Sequence, residues 1–125
     1  MTCAPHRLKR RREFLRVQAS GRKAAMPGLV LQAAARDDDG LGVGFTVSKR
    51  VGNAVIRNRV RRRLRAAAAE ILPLGAMAGC DYVIIGRAGS IDRPYDALRH
   101  DLVAALKRLK LWTVAADGAA RQESI

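Results

Sequence analysis

The sequence predicts an α/β two-layer sandwich formed by a single domain, on three observations. Residues 41–48, LGVGFTVS, alternate strictly. Leu41, Val43, Phe45 and Val47 fall on one side and Gly42, Gly44, Thr46 and Ser48 on the other, the period of a strand. Residues 54–72 place Ile56, Val60, Leu64, Ala67 and Ile71 in one narrow stripe at about 100° per residue, the period of a helix docked by one face. Residues 81–87, DYVIIGR, form a continuous apolar run rich in β-branched residues, as in a buried central strand. Strand and helix patterns that interleave in 125 residues imply one sheet with helices laid on it. The helices are expected on one side of that sheet, with an open face or groove on the other.

Taken in order, residues 1–6 (MTCAPH) read as a tail. Residues 7–20 (RLKRRREFLRVQAS) read as a short helix with a strongly basic first half, Leu8, Phe14, Leu15 and Val17 as its apolar contacts, and Gly21 as its stop. Residues 22–36 read as extended, interrupted by Pro27 and Gly28, with LVLQAAA (residues 29–35) as a strand. The run RDDDG (residues 36–40) is a turn by its Asp and Gly content, so the strands on either side are expected to pair as an antiparallel hairpin. The flat Gly/Thr/Ser side of the second strand suits close approach by another backbone or a ligand, and equally an ordinary helix packed over it. Asn53 is the expected N-cap of the long helix over residues 54–72, which Pro73 and Gly75 end. After the strand at 81–87 comes a loop with Asp92 as a candidate N-cap. The last helix, 94–111, buries Leu98, Leu102, Ala105, Leu106 and Leu109 and carries Lys107, Arg108 and Lys110 in its last turn, where cations suit the dipole. Residues 114–125 read as a second tail, leaving 7–113 as the domain.

Charge narrows the function. Lys and Arg total 24 against 11 Asp and Glu, a formal net charge of +13. An excess of that size implies an anionic partner. It concentrates in residues 49–65, KRVGNAVIRNRVRRRLR, which hold eight basic residues and no acidic one. On the helix, Asn58, Arg61, Arg62 and Arg65 fall opposite the apolar stripe, with Arg57 and Arg59 on its flanks. A solvated helix face usually mixes signs; this one does not, and it reads as a polyanion-binding face. No apolar run approaches the ~18 residues of a membrane span, and no apolar segment follows the basic N-terminus as a signal peptide requires. The charge alone allows nucleic acid or an acidic membrane surface as partner; a cytoplasmic protein that binds nucleic acid and no membrane is the reading expected here. Cys3 and Cys80 lie far apart with no CxxC spacing, as free thiols of a reducing compartment.

Protein-borne catalysis has little to stand on. His6 falls in the tail and His100 on the last helix, with no nucleophile or base set to join them. Asp37, Asp38 and Asp39 are explained by turn chemistry and lack the alternating ligands of a calcium loop. Gly40, Gly42 and Gly44 lie along a strand, so they do not form a phosphate-cradling loop. With aromatic residues at 4%, a broad base-stacking platform is not expected.

The stretch SKRVGNAVIRNRVRRRLR resembles the signature of the bacterial ribonuclease P protein subunit, centred on an Arg-Asn-Arg triplet, here Arg57, Asn58 and Arg59. The preceding GFTVSKRVGNAV, the N-terminal RLKRRREF, the DYVIIGR strand and the basic last helix extend the resemblance over most of residues 7–111. The resemblance implies an α+β fold like domain 2 of ribosomal protein S5, of order αβββαβα with a left-handed βαβ crossover. It implies that Arg57, Asn58, Arg59, Arg61, Arg62 and Arg65 contact a catalytic RNA, with Lys49, Arg50 and Asn53 at the start of that helix. It also implies a cleft between the first helix and the sheet that holds the 5′ leader of precursor tRNA, with Phe14, Gln18, Gln32 and Thr46 as its residues. Gln18 and Gln32 stand where some members carry aromatics, so stacking there gives way to hydrogen bonding and charge. The RNA is expected to perform the Mg2+-dependent cleavage, with Mg2+ held mainly by RNA and substrate. The resemblance implies that the protein acts as a subunit of that endoribonuclease, with no obligate protein partner. From the residues alone, a structural RNA-binding protein of ribosomal type and a nuclease in its own right stand as alternatives.

Overall fold

The structure, a computed structural model, describes residues 6–20 and 22–113. The elements are β1 (His6–Arg7), α1 (Arg11–Ala19), β2 (Arg22–Ala25), β3 (Leu29–Ala35), β4 (Leu41–Val47), α2 (Ala54–Gly75), β5 (Cys80–Gly86) and α3 (Tyr95–Arg108). Single 3-10 turns at Lys49–Val51 and Ala88–Ser90 lead out of β4 and β5. One five-stranded sheet has the order β1-β4-β5-β3-β2. The α/β sandwich and the αβββαβα order are as expected, with the two-residue β1 added at the front.

Three expectations about the sheet and its helices need correcting. First, β3 and β4 do not form a hairpin. β5 lies between them, antiparallel to β3 and parallel to β4. Cys80 to Ile84 are buried without alternation, so this strand needs partners on both edges and takes both neighbours. Residues 36–40 must then pass around its end, tied there by Arg36 N–H to Gly79 O (2.8 Å) and Gly79 N–H to Gly40 O (2.6 Å). The hairpin is instead β2–β3. Second, the first helix starts at Arg11 rather than residue 7. His6 and Arg7 pair in parallel with Gly42 and Val43 of β4, and Leu8 N–H donates to Val43 O (2.9 Å). His6 is thus strand, not tail; residues 1–5, Gly21 and 114–125 lie outside the described residues. The Glu13 carboxylate accepts from the Lys9 and Arg10 N–H groups at 3.0 and 2.9 Å and satisfies donors at the new helix start. Those two bonds hold its pKa below the usual carboxylate value. Third, the helices are not all on one side. α2 and α3 cover one face and α1 crosses part of the other.

Helix ends differ in instructive ways. α2 runs through Pro73 to Gly75, because a proline in the last turn forfeits only one backbone bond. Ala76 N–H then closes the helix on Leu72 O at 3.1 Å. The N-cap position of α3 is Pro94, not Asp92, which is exposed upstream. α3 stops at Arg108 in a Schellman motif. Lys110, at φ 61°, donates to Lys107 O, and Leu111 N–H donates to Leu106 O at 2.8 Å, so that Leu111 turns back into the core.

The main core lies between the sheet and the α2–α3 layer. Leu29, Leu31, Tyr82 and Ile84 meet Val60, Leu64, Leu98, Leu102 and Leu106, each at 0–1% exposure. Burying each such side chain contributes roughly 1.5–3 kcal/mol. Gly86 is what lets α2 lie so close: a Cβ there would come within 2.7 Å of Val60 Cγ1. The smaller core joins Leu8 and Val17 to Ala34 and Val83, with Phe14 and Ile85 half-buried against it. Leu15, expected to pack, is 46% exposed, because it falls off the Phe14–Val17 side of α1.

Candidate nucleic-acid interface

α2 is aimed by its N-terminal end and its buried stripe. The 3-10 turn after β4 swings the chain off the sheet, and Asn53 Oδ1 accepts from Ile56 N–H (3.0 Å), the N-cap expected from the sequence. Val60, Leu64, Ala67 and Ile71 bury the apolar stripe, which leaves the basic side outward. Lys49, Arg50, Asn53, Asn58, Arg59, Arg62 and Arg65 are exposed, and Arg57 and Arg61 are half-buried. Arg61 donates to Asn58 Oδ1 at 2.9 Å, which splays its guanidinium along the helix. Among the described residues, none of these cations pairs with a carboxylate. The ion pairs lie elsewhere, at Arg16, Arg36, Arg93 and Arg99. Glu70, the one acid on α2, is taken up by Arg99 and Tyr95 at the far half of the helix. The protein's own acids therefore leave the array's positive potential intact, as a polyanion site requires.

Arg63 is the exception within the run. Its guanidinium donates to the carbonyls of Ser90 (3.2 Å), Ile91 (2.9 Å) and Arg93, tying α2 to the β5–α3 connection. At about 100° per residue Arg63 lies about 60° from Val60, beside the buried stripe and off the polar face.

On the other face of the sheet, the registers set two rows across the strands. Gly44, Val83, Gln32 and Lys23 form one; Thr46, Ile85, Val30 and Ala25 form the next. The Phe14 ring lies on Gly44, where a Cβ would stand 2.5 Å from its Cε1. The Gly/Thr side of β4 is thus filled by Phe14 of α1 at Gly44 and by Leu8 and Asp81 at Gly42, and is open at half-buried Thr46. Phe14, Gln32 and Thr46 share this face, and Gln18 follows Phe14 by one helical turn. Lys23, Val30 and Ile85 also line it. Sequence reasoning missed Lys23 and Ile85 because only the strand order shows that β2 and β5 contribute to this face; Val30 shares the Gln32 side of β3 and follows from the strand period.

A second unanticipated feature anchors α1 here. Asp81, 4% exposed, accepts from Arg16 and from Arg36 Nη1 (2.7 Å), and Arg16 also donates to Ala35 O at 2.8 Å. The only sequence signal was an acid opening an apolar strand. Arg36 also bonds Asp38 (2.8 Å), which with the Gly40 N–H (2.9 Å) holds the Asp38 carboxyl down at about 2. Asp38 of the acidic turn is thus committed to an arginine and to the turn's own backbone. Among the described residues no group of three or more His, Cys, Asp or Glu is placed to hold a metal ion. His6 and His100 are both exposed, at the sheet edge and on α3. No helix among the described residues is long and apolar enough to cross a membrane.

The family model described as Ribonuclease P matches residues 3–110. The chain belongs to the ribonuclease P protein family. It is 58% identical over 108 residues to the ribonuclease P protein component of Paramagnetospirillum magneticum, covering 82% of this chain and 81% of that one. Its fold is similar to that of the Staphylococcus aureus RNase P protein, with a TM-score of 0.74 at 26% identity over 88% of this chain and 100% of that one. The Thermotoga maritima RNase P protein matches with a TM-score of 0.71 at 26% identity, over 82% and 96% of the two chains. The Arg57-Asn58-Arg59 triplet and the sheet face beside Phe14 lie within the matched residues 3–110.

Proposed function

We propose that this chain is the protein subunit of a ribonuclease P holoenzyme in the cytoplasm, where it binds the catalytic RNA through α2 and the 5′ leader of precursor tRNA along the α1-side sheet face. The observation that carries this is the unpaired arginine array of α2, held outward by a fully buried opposite stripe in a chain of this family. Arg57, Asn58, Arg59, Arg61, Arg62 and Arg65 supply phosphate and base-edge donors, and Lys49, Arg50 and Asn53 extend the surface around the helix N-terminus. Phe14 offers a single ring to a leader base, while Gln18, Gln32 and Thr46 offer hydrogen bonds, so leader binding draws more on polar contacts than on stacking. Among the described residues no cluster of carboxylates is placed to hold a metal ion, and Asp38 and Asp81 are engaged by arginines. Mg2+ for the cleavage belongs to RNA and substrate in this assignment.

Reconstitution tests it. The protein is combined with a bacterial ribonuclease P RNA and a precursor tRNA at low Mg2+; accelerated removal of the leader over RNA alone is expected, and no acceleration sinks the assignment. Specific cleavage by the protein without RNA would make it a nuclease in its own right. Recovery from cells on ribosomal RNA would make it a ribosomal-type protein. Phe14→Ala is expected to lower preference for leader-bearing over mature tRNA; equal loss for both would make Phe14 purely a packing residue.

A further inference from the structure

Beside the β1 edge of the sheet, a groove of about 340 Å3 opens between α2 and β4. Phe45 of β4 lines its sheet side, Ala69, Leu72 and Pro73 of α2 line the helix side, and the exposed Arg7 of β1 and Arg65 of α2 border it. Neither guanidinium has a hydrogen bond or ion pair among the described residues. The volume sits at the small end of ligand pockets, which run about 300–1,000 Å3. At about 100° per residue, Ala69 falls between Arg62 and Arg65 around the helix. The groove is thus on the same side of α2 as the arginine array, one turn further along.

We infer that this groove holds a single unstacked nucleotide of the RNA bound on α2, its base against the Phe45 ring and an adjoining phosphate between Arg7 and Arg65. This rests on the assignment of α2 as the RNA-binding helix. An apolar slot alone would accept a peptide side chain or a second copy of the chain. Two unpaired guanidiniums from different elements at its border select an anionic occupant. A flat apolar wall with one aromatic ring selects an occupant that is also planar, and a nucleotide is both. A second copy carries the same +13 charge, which opposes self-docking at this border. The site also gives β1 a purpose. Pairing His6–Arg7 with β4 is what carries a cation from the N-terminal basic segment to within reach of α2, so both basic clusters of the sequence meet at one RNA feature.

The test fills the groove. Ala69 is exposed, so Ala69→Trp occupies the slot without entering the core; Leu74→Trp, at a 64% exposed position of the same helix that does not line the groove, is the control. With full-length protein and a bacterial ribonuclease P RNA, Ala69→Trp is expected to weaken binding about 10-fold or more, the scale of one lost base stack, with the salt slope unchanged. Leu74→Trp is expected to bind as wild type. Arg7→Ala is expected to lower the slope by about one. Ultraviolet irradiation of the wild-type complex is expected to cross-link one nucleotide to the peptide containing Phe45. If Ala69→Trp binds RNA as tightly as wild type, or the cross-link falls elsewhere, the groove assignment is overturned while the RNA-binding role of α2 stands. If the wild-type protein does not bind this RNA, both fall. A concentration-dependent dimer that Ala69→Trp abolishes, with RNA affinity intact, would give the groove to a second copy and overturn the nucleotide.

Discussion

Arg63→Ala should separate folding from RNA binding inside a run of three consecutive arginines. The Arg63 guanidinium serves three carbonyls of the segment that joins β5 to α3. A hydrogen bond from a charged donor contributes about 1.5–3 kcal/mol net, and a neutral one about 0.5–1.5. All three bonds are only partly buried, so water recovers much of each carbonyl's loss, and the expected cost is about 2 kcal/mol rather than the full sum. For a domain of this size that lowers Tm by roughly 8–12 °C. Arg62→Ala, one residue away and exposed, should cost no more than about 0.5 kcal/mol. Its effect should fall on RNA binding instead, reducing the slope of log affinity against log salt by about one. Urea unfolding followed by circular dichroism and a salt titration of RNA affinity measure the two quantities on each variant. If Arg63→Ala leaves the midpoint unmoved and lowers the salt slope, then Arg63 belongs to the RNA face and its carbonyl contacts do not hold the fold.

Other expectations follow from single contacts. Asp81→Asn leaves Arg16 and Arg36 facing a neutral group at a buried position; a loss of about 2–3 kcal/mol is expected, below the range for a fully buried pair because Arg16 is half-exposed. Amide exchange across Arg11–Ala19 should quicken with it, and unchanged exchange would mean that Asp81 does not anchor α1. Lys110→Gly removes the strain of a left-handed lysine and should stabilise the fold by about 0.5–1 kcal/mol, and a lower Tm would count against the Schellman ending. The Asp38 carboxyl should titrate near pH 2, held down first by Arg36 and then by the Gly40 N–H. Its folded pKa lies below the unfolded value of about 3.9, so the stability it contributes is present above that value and lost as pH falls through about 2. A carbon-13 carboxyl midpoint at 4 would contradict the Arg36–Asp38 pair.

Periodicity carried most of the secondary structure, because Val60, Leu64, Leu98 and Leu102 each lie on a stripe that only one helix face explains. Asn53 was legible as a cap because an Asn side chain before such a stripe has one obvious acceptor role. Strand neighbours were not legible. The RDDDG turn is compatible with a hairpin or with a passage around β5, and only the double-sided burial of β5 decides between them, a fact about three strands at once. β1 was hidden because two residues carry no period. The outward arginines of α2 followed from the stripe opposite them, whereas the place of Lys23 and Ile85 on the α1-side sheet face depends on registers that no local pattern contains. Asp81 followed from neither, since its partners lie 45 and 65 residues away in the chain.

The insertion of β5 between β3 and β4 has a consequence for how the chain is made. Until Cys80–Gly86 has left the ribosome, β2–β3 and β1–β4 are two ribbons with no shared edge, and the apolar stripe of α2 has only part of its floor. Synthesis of about 85 residues must therefore precede closure of the sheet, with open strand edges and a full set of arginines exposed in the meantime. A chain cut anywhere before β5 should fail to fold at all rather than fold in part. The strand between the two ribbons thus sets the earliest moment at which the outward arginines of α2 stand on a complete sheet.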